Sequence, residues 1–118
     1  MTVTEFKKAL ESSEEIQLTV TGRVSGGKIS NPVWFVQEDE TLYLLPVKGS
    51  DSDWLKNMLK NPTIALTVNG ITITAKAKPI TDPAMVREVV QKFRAKYGAD
   101  EVKKYYSKFD VAVEVALA

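Results

Sequence analysis

Neither cysteine nor histidine occurs anywhere in the 118 residues. Disulfides, the common zinc sites, thiol nucleophiles, Ser-His-Asp triads and histidine acid–base chemistry are therefore excluded. No metal site is expected, and an enzyme made from this chain would need a bound cofactor to carry its chemistry. Long apolar runs are also missing. None approaches the roughly 20 residues of a membrane helix, and the N-terminus lacks the apolar core of a signal peptide. The expectation is a cytoplasmic protein with no membrane span. Neither sign of charge is in excess: 16 basic and 15 acidic side chains leave a net charge of +1. That balance gives no general attraction for nucleic acid or an anionic membrane, so any anion site must be local.

What is present reads as one domain over residues 1–118, with room for one site. Thr2-Val3-Thr4-Glu5 has capping-box form, and Val3, Phe6, Ala9 and Leu10 recur at helical spacing, which predicts a covering helix over 2–12. From Ile16 the period becomes two, with Ile16, Leu18 and Val20 on one face. The glycines from Gly22 to Gly27 break that strand. A second extended run, Ser30 to Gln37, passes through an acidic tip at Glu38-Asp39-Glu40 into a third, Thr41 to Val47. Trp34 and Phe35 are adjacent on the second run and so face opposite sides, one toward the core and the other toward a ring or partner. A helix over 53–60 turns Trp54, Leu55, Met58 and Leu59 inward and stops at Asn61-Pro62. Thr63–Val68 and Ile71–Lys78 form a hairpin around Asn69-Gly70. Helices begin at Thr81-Asp82-Pro83, with Gly98 as a stop, and at Asp100 through Ser107. A closing strand places Val111, Val113, Val115 and Leu117 on one side. Hairpin-linked strands with short helices at their ends point to an α+β fold, a small barrel.

The strand-to-helix turn Lys48-Gly49-Ser50-Asp51-Ser52 has two readings. The N–H groups opening the helix at Asp53 could hold a phosphate, with Lys48 as counter-ion and Gly49 allowing close approach. Equally, Ser52 or Asp51 caps the helix and Lys48 is solvated. The phosphate reading requires Asp51 and Asp53 to face away.

Two blocks carry a resemblance. They are Thr21-Gly22-Arg23-Val24-Ser25-Gly26 with Asn31-Pro32 after it, and Lys48-Gly49 followed by Trp54 and by Asn61-Pro62. The pattern resembles the deazaflavin-dependent nitroreductase and quinone reductase family, a branch of the pyridoxamine-phosphate-oxidase-like split barrels that bind flavins or coenzyme F-420. The resemblance implies a six-stranded, mostly antiparallel split β-barrel with short peripheral helices. It also implies hydride transfer from reduced F-420 to a small electron-poor acceptor: a quinone, enone or nitro compound. An FMN-dependent oxidoreductase of the same fold, or a carrier that binds flavin or deazaflavin without turnover, would be alternatives. By position, Arg23, Ser25, Lys48, Gly49 and Ser50 would face the cofactor's phosphate side. Asn31 and Pro32 would border the ring, with Trp54 near the cofactor. Relatives often carry an arginine shortly before Asn-Pro; here Lys28 could stand in for it after a shift of register. Tyr105, Tyr106 and Ser107 match a segment that lines the acceptor pocket in relatives. A homodimer follows by the same resemblance; the near-zero net charge argues against a nucleic-acid partner.

Overall fold

A computed structural model describes residues 2–117, with side chains from Thr4 onward. Thr2 and Val3 of the predicted capping box therefore lie outside the described side chains. The elements are α1 (Thr2–Glu11), β1 (Glu15–Thr21), β2 (Lys28–Glu38), β3 (Thr41–Leu44), α2 (Asp53–Lys60), β4 (Thr63–Val68), β5 (Ile71–Ile80), α3 (Pro83–Tyr97), α4 (Ala99–Tyr105) and β6 (Ala112–Ala116). The strands close into a barrel in the order β1-β2-β3-β6-β5-β4. Every pairing is antiparallel.

Two long strands make the split. β2 pairs with β1 up to Trp34, opposite Glu15, and with β3 from Phe35, opposite Leu44. β5 pairs with β4 from Ile71 to Lys76 and with β6 from Ala77 to Ile80. Each long strand thus serves two sheets, so the barrel opens where the partners change. The β4–β5 turn has Asn69 at φ 49° and Gly70 at φ 78°. Two successive left-handed residues match the right-handed strand twist, which is why Asn-Gly sets this register.

Two cores result. Inside the barrel, Phe6, Leu18, Phe35, Leu42, Leu44, Leu66, Val113 and Val115 pack together with α1 and α2. Outside it, Val86, Val89, Val90 and Phe93 of α3 and Val102 of α4 cover Ala112, Ile80 and Leu45. The alternation read along β6 points Val111, Val113, Val115 and Leu117 inward. Ala112 is buried too, because the α3–α4 layer covers the outer face there.

Three expectations shift. Leu59 is 54% exposed, since it falls on the rim of the α2 stripe and not within it. β3 ends at Leu44, ahead of Pro46, which lacks the N–H a ladder needs. Ser52 does occupy the N-cap position of α2, but its side chain makes no cap bond. Its hydroxyl instead accepts the backbone N–H of Lys48 at 2.9 Å.

Candidate functional site

The largely apolar cleft of about 370 Å³ lies beside the split. Its walls come from Pro32, Val33 and Trp34 of β2, from Leu45 and Val47 after β3, from Trp54 on the first turn of α2, and from Tyr105 and Tyr106 at the end of α4; Glu15 and Glu101 stand at its edge. Strand alternation decides the division of labour between the adjacent aromatics. Phe35 points into the barrel and is 1% exposed, whereas Trp34 takes the other face and borders the cleft.

Trp34 is held on several sides. Its ring stacks on that of Tyr97 with centroids 4.1 Å apart and planes 6° from parallel. Tyr105 meets it edge-on at 5.6 Å, and Tyr106 is tilted against it at 5.9 Å. The cleft therefore has a packed aromatic wall with few polar groups, and its size is that of small-ligand sites. A planar ring system fits that chemistry. Among the described residues neither the Tyr105 nor the Tyr106 hydroxyl has a hydrogen-bond partner. Burial pushes the Tyr106 hydroxyl pKa well above the ordinary tyrosine value. Tyr106 therefore stays protonated and can donate, but it cannot serve as a base at neutral pH.

The residues expected around a phosphate divide differently. Arg23 turns to α2. Its guanidinium donates to the Asn57 side-chain oxygen at 2.8 Å and to the Asp53 carbonyl at 3.4 Å, and it pairs with the Asp53 carboxylate at 3.6 Å. Its backbone N–H also donates to Asn57, at 3.1 Å. Asn57 is 4% exposed. A buried amide oxygen needs such donors, so Arg23 docks the β1–β2 turn onto the helix. Ser25 accepts the N–H of Gly27 within that turn, and Lys28 donates to Thr21 at 2.9 Å. Asn31 is exposed opposite Leu18.

The Lys48 turn already holds a carboxylate. Asp110 accepts the N–H of Ser50 at 2.9 Å and its hydroxyl at 2.5 Å. Gly49, with φ at +55°, lies so close that a Cβ there would stand 2.1 Å from an Asp110 oxygen. Lys108 reaches Asp51 at 3.3 Å and Asp110 at 3.7 Å. The Ser107 N–H donates to the Val47 carbonyl at 2.9 Å. Residues 107–110 are thus fastened along residues 47–51. Neither acidic residue of the turn points away from a cation: Asp53 faces Arg23 and Asp51 faces Lys108. Lys48 itself is exposed and, among the described residues, its ammonium has no carboxylate partner.

The fold therefore gathers Pro32, Trp54, Tyr105 and Tyr106 at one cleft, with Lys48 next in chain to its wall residue Val47. Arg23 and Ser25 border other cavities, beside Lys60, Asp53 and Asn57. Ser107 lies outside the cleft wall. The sequence places Tyr97 on the packed stripe of its helix but gives neither it nor Asp110 a role at the site, because their partners are about 60 residues away in the chain. No local spacing marks such pairs.

Comparisons with known proteins now bear on this geometry. The family model for F420H(2)-dependent quinone reductase matches residues 2–117. An F420-H2 dependent reductase of known structure superposes with a TM-score of 0.67 at 20% identity, covering 86% of this chain and 93% of that one. A structure described as a domain-swapped dimer gives 0.68 at 18% identity, covering 95% and 94%. A candidate pyridoxamine 5′-phosphate oxidase from Listeria innocua gives 0.70 at 13% identity, covering 97% and 91%. The split-barrel fold is shared with these structures. No curated protein matches the sequence.

Proposed function

The chain belongs to the F420H(2)-dependent quinone reductase family, and from that premise we propose that it reduces a small electron-poor acceptor, a quinone, enone or nitro compound, held in the Trp34 cleft. It is a deazaflavin-dependent reductase, and coenzyme F-420 is its cofactor. When bound, the coenzyme supplies the hydride. The chain's residues bind, orient and exclude water.

The single observation behind the acceptor class is the stacked aromatic wall of the cleft. Flat, conjugated acceptors gain most from offset stacking against Trp34, and apolar walls dehydrate their carbonyl or nitro groups. Tyr105, 49% exposed, and Tyr106 offer the only unengaged hydroxyls among the described cleft residues, and they would donate to the acceptor's oxygen. Lys48 is the counter-ion proposed for the coenzyme's anionic tail, beside Pro32 and Trp54 at the ring. Gly49 and Ser50 would serve the same tail only by releasing Asp110. Arg23, Ser25, Lys28 and Asn31 would act at most on a distal part of the tail. A homodimer is part of this reading, supported by the domain-swapped dimer seen in a relative.

The test is titration with F-420, followed by assay of menadione reduction with the reduced coenzyme. Micromolar binding with turnover is expected. Absence of deazaflavin binding overturns the reading, as does preferential capture of FMN. Tight coenzyme binding with no turnover on quinones, enones or nitro compounds would assign the chain a carrier role instead.

A further inference from the structure

The β1–β2 ladder runs unbroken from Thr21 opposite Lys28 and ends at the split. Glu15 stands opposite Trp34, so one more antiparallel step would put Glu14 opposite Phe35, yet the ladder ends there. The hydroxyl of Tyr97, from the last turn of α3, occupies the gap. It accepts the Phe35 N–H at 3.1 Å, and it is within donating distance of two carbonyls, that of Glu14 at 2.6 Å and that of Phe35 at 2.9 Å. The ammonium of Lys96 donates to the same Phe35 carbonyl at 2.8 Å.

A phenol thus stands in for a backbone rung, satisfying an N–H and a carbonyl that strand separation would otherwise strand. The same side chain stacks flat on Trp34, the residue before the wedge. Burial raises the Tyr97 hydroxyl pKa to about 12, so the donor keeps its proton throughout the physiological range. Tyr97 is not among the residues lining the cleft.

We propose that Tyr97 is a positioning residue: its hydroxyl wedges β2 away from β1 at the split, and its ring fixes the angle at which Trp34 faces the acceptor. The proposal rests on the reading of the Trp34 cleft as the acceptor site. A wall held this way gives binding energy that is equal in the ground state and in the transition state. Loosening it should raise KM and leave kcat nearly unchanged.

Tyr97→Phe removes the wedge but keeps the stack, and Tyr97→Leu removes both. With menadione as probe, Tyr97→Phe should raise the dissociation constant, read without coenzyme by quenching of tryptophan fluorescence, roughly three- to tenfold, and KM alike, with kcat within about twofold. Tyr97→Leu should do more. The Trp34 indole resonance should also move between the wild type and Tyr97→Phe, in protein free of coenzyme and acceptor. An unmoved indole resonance with wild-type affinity overturns the proposal, as does a loss confined to kcat. If neither variant folds, the wild type decides. Saturation with menadione should shift the Trp34 and Tyr97 ring resonances together, and an unshifted Tyr97 overturns the wedge. A wild type that reduces no quinone overturns the function reading instead, and the indole shift in ligand-free protein still decides the role of Tyr97.

Discussion

The carboxylate of Asp110 is bound by both donors of Ser50, the backbone N–H at 2.9 Å and the hydroxyl at 2.5 Å, across 60 residues of chain. An anion is therefore present at the glycine-containing turn before α2, and it belongs to the protein itself. The contact ties the loop ahead of β6 to the connection between β3 and α2.

Gly49 is needed for that tie on two counts: its φ of +55° and the 2.1 Å that would separate a Cβ from Asp110. Gly49→Ala should destabilise the fold by about 2–3 kcal/mol, combining left-handed backbone strain with loss of the Ser50–Asp110 contact. Urea denaturation measures it. A loss below about 0.5 kcal/mol would contradict the geometry.

Acid should act through the same contact. The hydrogen bond from the Ser50 hydroxyl, ahead of the other causes, holds the Asp110 pKa below its ordinary value of 3.8. A depressed carboxylate pKa means the unfolded state takes up its proton first. The stabilisation is complete above about pH 4 and is lost as pH falls through the lower folded value. Asp110→Asn should flatten that part of the curve. Unfolding free energies measured from pH 6 to pH 3 in both proteins check it, and parallel curves would contradict it.

Lys48 and Arg23 should separate in their effects. Lys48→Ala should weaken F-420 binding by about 1–2 kcal/mol, roughly tenfold, with little change in stability. Arg23→Ala should cost about 1 kcal/mol of folding stability, since Asn57 loses its guanidinium donor, with a smaller effect on affinity. Paired titrations and thermal melts read both. The opposite pattern would return Arg23 to the coenzyme.

Alkali provides a fourth test. Burial, the largest cause, raises the Tyr97 pKa to about 12 and that of Tyr106 upward as well. A tyrosine pKa raised by folding contributes stability that is full below the unfolded value near 10 and is lost as pH climbs through the folded one. Spectrophotometric titration should find part of the chain's 4 tyrosines ionising only together with unfolding. Ionisation of all of them near pH 10 in folded protein would contradict the burial of both rings.

Much of the barrel was legible because it is local. Asn69-Gly70 demands two left-handed residues, Asn61-Pro62 ends α2 at Lys60, and alternation assigns the inward side chains of β1 and β6. Phe35 and Trp34 part for the same reason. The cleft was legible only in fragments: Pro32, Trp54, Tyr105 and Tyr106 were named through resemblance, and their convergence on Trp34 depends on how α3 and α4 lie over the barrel.

The residues alone determined which chemistry is impossible, since a chain without histidine or cysteine cannot supply those nucleophiles or bases. They also determined the order and kind of the strands and helices and the sharpest of their stops, Asn61-Pro62 and Asn69-Gly70, because backbone sterics and turn residues act over a few positions. Ends such as that of β3 at Leu44 and of α4 at Tyr105 lie elsewhere than expected. Tertiary structure decided what the charges do. Lys48-Gly49-Ser50 and Arg23 look alike as anion ligands in one dimension, but Asp110 takes the donors of Ser50 while Asn57 and Asp53 take Arg23. A hydrogen bond is made with whichever partner the fold brings within about 3 Å, and sequence spacing says nothing about a partner 34 or 60 residues away.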